Sequence, residues 1–239
     1  MSQNWSNDPS VAVSNDAGRK VFDEGLRIYM SKVYGYMSMG LLITAVTAYL
    51  GAASGLYQAI AATPLIYVVM FAPLGLVFFL SMRIHKMSSQ SAQMTFWIYA
   101  GLVGLSLSYI LLIFTGVSVV RTFLVTAASF GALSLYGYTT KRDLSGMGSF
   151  LFMGLIGIIL ASIVNIFLAS SAMHFVISVI GVLIFAGLTA YDTQSIKQIY
   201  MGSDSRDVAE KKAIMGALRL YLDFLNMFLF LLQFMGNRD

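Results

Sequence analysis

Two aspartates interrupt membrane-length apolar stretches near the end of the chain. Asp192 stands in Ala190-Tyr191-Asp192-Thr193-Gln194 and Asp223 in Leu220-Tyr221-Leu222-Asp223-Phe224. An ionised carboxylate is costly in hydrocarbon, so carboxylates there face a protein interior, a cavity or a partner, and they mark ion or proton chemistry. Two carboxylates close together in a low dielectric do not both ionise cheaply; such a pair can share a proton and titrates in two macroscopic steps. An arginine beside the pair favours the charged form and ties helices together, and protonation weakens that tie. One arginine and two aspartates thus suffice for a pH-controlled latch. Unlatched and deprotonated, Asp192 and Asp223 would attract a hard cation such as Ca²⁺, which prefers oxygen ligands.

Two cations could serve this pair. Arg83 ends the second apolar segment, and Arg219 lies four residues before Asp223 on the same helical face. Asp223, Asn226, Phe230 and Gln233 continue one stripe at spacings of three, four and three, which predicts a last helix facing the bundle interior. Asn165, in the fifth segment, is a further interior polar candidate. Each has a plainer role to weigh against these. Arg219–Asp223 could be an intrahelical ion pair, Asn165, Asn226 and Gln233 glue between helices, and Arg83 a snorkelling anchor.

The elements that must carry these residues follow from composition. The 239 residues are 58% hydrophobic and 11% charged, against roughly 25% charged in soluble domains. Such a chain is an integral membrane protein, and all-α. Apolar segments at 35–54, 64–82, 94–114, 118–137, 147–169, 173–195 and 214–235 are each near the ~20 residues that span a bilayer. The domain reading is a polar tail and amphipathic lead-in over 1–30, one seven-helix domain over 31–236, and a short end at 237–239. Residues 1–20, rich in Ser, Asn and Asp, are expected to be disordered. No cleavable signal peptide is expected, because residues 1–30 are polar and mixed in charge.

Charge orients the bundle. With seven helices, twelve Lys and Arg fall on one side, and only Arg121 and Arg238 on the other. The positive-inside rule then predicts a cytoplasmic N-terminus and an external C-terminus, with Asp192, Asp223 and Arg83 converging at one depth. The formal charge of +4 is explained by this topology rather than by a nucleic-acid footprint. With no cysteine, disulfide, thiol and iron–sulfur chemistry are excluded, and two histidines, His85 and His174, make a histidine-rich metal site a poor expectation.

Gly187-Leu-Thr-Ala-Tyr191-Asp192-Thr193-Gln194-Ser-Ile-Lys197, followed by Leu220-Tyr221-Leu222-Asp223-Phe224-Leu225-Asn226-Met-Phe, resembles the transmembrane Bax inhibitor motif family (Bax inhibitor-1-like) in a bacterial version, over roughly residues 25–236. The resemblance implies seven helices with the last one central and wrapped by the other six. It also implies a pH-sensitive Ca²⁺ leak, with Asp192 and Asp223 as sensor and Arg83 as latch in the closed state. It implies no cofactor, with Ca²⁺ as cargo. The setting would be a bacterial plasma (inner) membrane, and some bacterial relatives restrain a membrane-embedded AAA protease. Arg219 departs from the family pattern and offers the carboxylates a second cation.

Three functions compete on these residues. The first is the leak. The second is a regulatory membrane protein whose aspartates only hold helices together and which modulates a partner such as a protease. The third is an intramembrane aspartyl protease, since two carboxylates sharing a proton can activate water. The second aspartate of that class lies in a Gly-x-Gly-Asp turn, and here the residues are Leu-Tyr-Leu-Asp. None of the three prolines, Pro9, Pro64 and Pro73, supplies its Pro-Ala-Leu element. The expectation is therefore not an enzyme. A retinal protein is also disfavoured, as no lysine sits mid-helix for a Schiff base.

Overall fold

A lipid core leaves backbone amides no partner but one another, so each apolar segment must close its hydrogen bonds internally. A computed structural model describes the backbone of residues 9–237 and the side chains of residues 21–237. Its helices are α1 (Pro9–Ala53), α2 (Leu56–Ala61), α3 (Leu65–Arg83), α4 (Ser89–Leu107), α5 (Ile110–Ile113), α6 (Gly116–Thr139), α7 (Ser145–Leu168), α8 (Ser171–Gln198) and α9 (Arg206–Met235), with a 3₁₀ turn at Ile84–Lys86. Seven spans are long and apolar enough to cross a membrane, α4 and α5 together forming the third. Each expected segment falls on one of them.

The helix starts are written in side chains. Ser88, Thr115, Ser170 and Ser205 accept the backbone N–H three residues on, opening α4, α6, α8 and α9; such caps satisfy donors that the helix itself cannot. Residues 1–8 of the polar tail lie outside the described residues. From Pro9 the backbone is helical rather than disordered, and the amphipathic lead-in and the first span are one helix. Extending a helix already nucleated in the membrane fixes one residue per hydrogen bond and avoids a new nucleus.

The last helix is the most buried span. Of its apolar window 61% is buried, against 11% for both α3 and α7. Four helices, α1, α4, α6 and α8, pack directly on α9, whereas α3 packs chiefly on α4, and α7 on α8. The expected wrap by all six is thus a wrap by four with two helices outside. The physical reason is visible in the spans. α3 and α7 are the two most apolar of the seven, and lipid tails satisfy such helices as well as protein does.

Polar side chains fix the inner five. Thr44 of α1 donates to or accepts from the Tyr221 hydroxyl of α9 at 2.6 Å and lies 2.9 Å from the Ala100 carbonyl of α4. At the charged end Lys32 pairs with Glu210 at 2.5 Å and the Tyr36 hydroxyl donates to the same carboxylate. Asp207 accepts the Ser89 N–H at 3.0 Å, tying the start of α9 to the start of α4.

Candidate functional site

Asp192 lies six residues before the end of α8, about 9 Å from it at 1.5 Å per residue. It faces Asp223 on α9, and the two carboxyl groups are within hydrogen-bonding reach of each other. Carboxylates are acceptors only, so a bond between two of them requires one proton between them. Asp223 is 4% exposed, and its Oδ2 has no hydrogen-bond partner. A buried carboxyl oxygen without a partner is expensive for stability alone, which favours a functional reason for its place.

The pair opens onto a cavity of about 1050 Å³ between α7, α8 and α9. Asp192, Arg219, Asp223 and Asn226 form its polar end, and Phe152, Ile159 and Phe230 line its apolar stretch. The cavity exists because α7 leans on α8 and leaves α9 uncovered there. Glycines set the spacing along its wall: a Cβ on Gly148 would meet the Tyr191 ring at 2.5 Å, and one on Gly181 the Phe230 ring at 2.7 Å.

The structure brings Arg219 to the pair and leaves Arg83 apart. Arg219 acts electrostatically on both carboxyls, although its side chain is exposed and it forms no ion pair within 4.0 Å among the described residues. The intrahelical Arg219–Asp223 bridge is therefore not made. Arg83, exposed at the end of α3, has no side-chain hydrogen bond or ion pair among the described residues and acts on neither aspartate. Arg83 therefore does not join the pair in this conformation, since α3 packs on α4 rather than on α9.

The remaining polar candidates separate as well. The Asn226 side chain lines the cavity but donates to the Leu222 carbonyl of its own helix at 2.8 Å. Gln233 is exposed and accepts the Ser178 hydroxyl at 3.3 Å, linking α9 to α8. Asn165 accepts the Ser170 N–H at 3.1 Å and closes the α7–α8 turn, far along α7 from the carboxyl pair. Among the described residues no group of three or more His, Asp or Glu converges. Two carboxyls alone fall well short of the ~6–8 oxygens of a resident Ca²⁺ site.

Sequence reasoning passed over the other side of Asp192. Thr193 bonds Ser134 of α6 at 2.9 Å, and Ser134 bonds the Tyr34 hydroxyl of α1 at 2.6 Å. Gln194 accepts the Leu144 N–H at 2.9 Å and donates to the Arg142 carbonyl at 2.8 Å. Lys197 donates to the Tyr138 carbonyl at 2.8 Å. The signal was available: Thr193 and Gln194 directly follow Asp192 in an otherwise apolar helix.

A buried carboxyl pair at a cavity inside an all-helical, seven-span bundle defines a polytopic membrane protein with an ionisable centre. The sequence profile described as "Inhibitor of apoptosis-promoting Bax1" matches residues 26–239, and the chain belongs to that Bax inhibitor family. Similar proteins include RP147 of Rickettsia prowazekii, 49% identical over 97% of this chain and 98% of its own length. The inner membrane protein YbhL of Escherichia coli K12 is 50% identical over 90% and 93%. A protein of Deinococcus radiodurans is 43% identical over 92% and 95%.

Proposed function

We propose that this protein is a pH-sensitive Ca²⁺ leak, gated by the Asp192–Asp223 pair. The observation that carries the proposal is the contact between two carboxyls on adjacent helices, at the polar end of a cavity. With one proton between them the pair carries one negative charge, balanced by Arg219. A second proton leaves Arg219 unbalanced, and loss of the shared proton leaves two anions facing each other. Either change alters the force between α8 and α9, and the doubly ionised pair attracts a divalent cargo. No catalytic step is needed, and none is proposed.

Arg219 takes the latch role in this conformation, and Arg83 would reach the pair only if α3 moved inward. α9 closes the outer half, where Phe228 and Leu232 are buried. By the charge asymmetry, and by analogy with the inner membrane protein YbhL, the protein lies in a bacterial inner membrane with its N-terminus cytoplasmic and its C-terminus outside. A reporter active only in the periplasm, fused after Asp239, would read that orientation.

The test is Ca²⁺ entry into dye-loaded proteoliposomes between pH 6 and 8. Wild type should show flux that varies with pH, Asp192→Asn and Asp223→Asn should lose the variation, and Arg219→Gln should leak constitutively. Constitutive leak in Arg83→Ala instead would return the latch to α3. No flux above empty liposomes from folded protein would overturn the leak and favour regulation of a membrane partner such as a protease.

A further inference from the structure

On a neighbouring flank of α9, outside the cavity of the carboxyl pair, α1 and α6 frame a trough of about 850 Å³ floored by Phe224. It runs on into a recess of about 320 Å³ through the shared residues Leu41, Ala45, Phe123 and Phe224. Along α1 the trough extends from Arg27 to Ala45. Eighteen residues of helix are about 27 Å, somewhat more than one leaflet with its headgroups, roughly half of 40–45 Å. Its walls are mostly aromatic and aliphatic, with Ser38 and the hydrogen-bonded Ser134 among them, and its one charged group is at the end where Arg27 and Ser31 stand a turn apart.

That end lies at the charged face of the bundle. Arg27 is exposed and forms no ion pair among the described residues, not even with Asp23 or Glu24 a turn earlier. Lys141 and Arg142 follow α6 on the same side. An apolar trough open to the bilayer does not stay empty, since its lining would forfeit dispersion contacts on one side. A lipid chain is the apolar filler at hand. The unpaired guanidinium at headgroup level can pair with the phosphate of any phospholipid, and it selects by net charge, because a zwitterionic headgroup brings its own cation beside the arginine whereas an anionic one does not.

We propose that this trough is a binding site for one anionic phospholipid. Its phosphate sits on Arg27 and Ser31, and an acyl chain lies along Phe123, Phe130 and Phe224. The bound chain bears on the helix that carries Asp223, through the next residue, Phe224. The proposal does not depend on the leak, because its readout is lipid binding.

The experiment is native mass spectrometry of the full-length protein in detergent, titrated with dioleoyl phosphatidylglycerol and, separately, dioleoyl phosphatidylcholine. Wild type should prefer the anionic lipid about fivefold, the worth of one basic residue near an anionic surface. Arg27→Gln, a change of an exposed side chain, should abolish the preference. Gly131→Phe should weaken binding of both lipids, since Gly131 lines the trough and an added Cβ there meets nothing within 4 Å. Gly157→Phe, equally unhindered but on α7, should bind as wild type does. Equal affinity of wild type for the two lipids, a preference that survives Arg27→Gln, or undiminished binding in folded Gly131→Phe would each overturn the proposal.

Discussion

The two long faces of α8 differ in kind. Toward α6 the helices touch backbone to backbone: a Cβ on Gly137 would collide with the Ala190 carbonyl. Around that contact Ser134–Thr193, Gln194–Arg142 and Lys197–Tyr138 are all bonded. Toward α7 the glycines meet only side chains, the Tyr191 ring opposite Gly148 and Leu151 opposite Gly187. No side-chain hydrogen bond joins α7 to α8 within the spans among the described residues, and a cavity lies beside the contact. Asp192 stands on the boundary, one residue from Thr193. Packed backbone holds one arrangement, whereas side chains over a void permit several. The bundle thus pins the ionisable pair from one side and leaves room on the other.

The largest effect should come from adding a methyl group to the pinned face. Gly137→Ala forces α6 off α8, because a backbone carbonyl cannot rotate away. Overpacking of this kind costs about 1–3 kcal/mol, and the interhelical bonds around Ser134 would stretch as well. Gly148→Ala presses on an aromatic ring at 2.5 Å that can turn into the cavity, so its loss should stay under about 1 kcal/mol once alanine's better helix propensity is counted. Melting temperatures followed by circular dichroism in detergent would compare the two. Equal losses would erase the distinction between the faces.

Next in size is Gln194→Ala. The side chain satisfies the Leu144 N–H and the Arg142 carbonyl at once, holding the α6–α7 connection against α8. Leaving buried backbone groups unpaired costs about 1–3 kcal/mol. Hydrogen exchange should rise at Leu144 and in the first turn of α7 while α9 stays protected. Protection lost throughout the bundle would mean that the connection is a keystone rather than a local fastening.

How much of this could be read beforehand divides along the same line. The seven spans, the buried last helix and the paired aspartates were legible, because apolar length and the cost of charge in lipid are local properties of the chain. The outer position of α3 was not inferred, so Arg83 was expected at a site that it does not reach. Besides Arg83 its helix carries only Tyr67 and Ser81 as polar side chains, and that apolarity was itself the clue. The Arg219 position followed from helical spacing, yet the bridge to Asp223 did not form. An exposed arginine gains little from a partner it must be bent to meet. Asn165 reads as an interior group until the turn at Ala169, with φ 48°, places it at a helix end. The ties of Thr193 and Gln194 join residues 50 and more apart, which no local pattern reveals.

The smallest expected effect tests the loose side at its hinge. Asp143, in the connection between α6 and α7, accepts the Ser145 N–H at 2.9 Å at the start of α7. Bonds from the Ser145 side chain and backbone hold its carboxyl below the ordinary value of 3.8. A depressed folded value means that the carboxylate stabilises the fold above 3.8 and that this contribution fades as pH falls through the folded value. The group is fully exposed, so solvent screens most of the gain. Asp143→Asn should therefore lower the melting temperature slightly at pH 7 and not at all in strong acid, and the change should appear in α7 alone. A shift at pH 7 as large as that of Gly137→Ala would show that the α7 start is as firmly held as the α6–α8 contact, and the contrast between the two faces of α8 would fail.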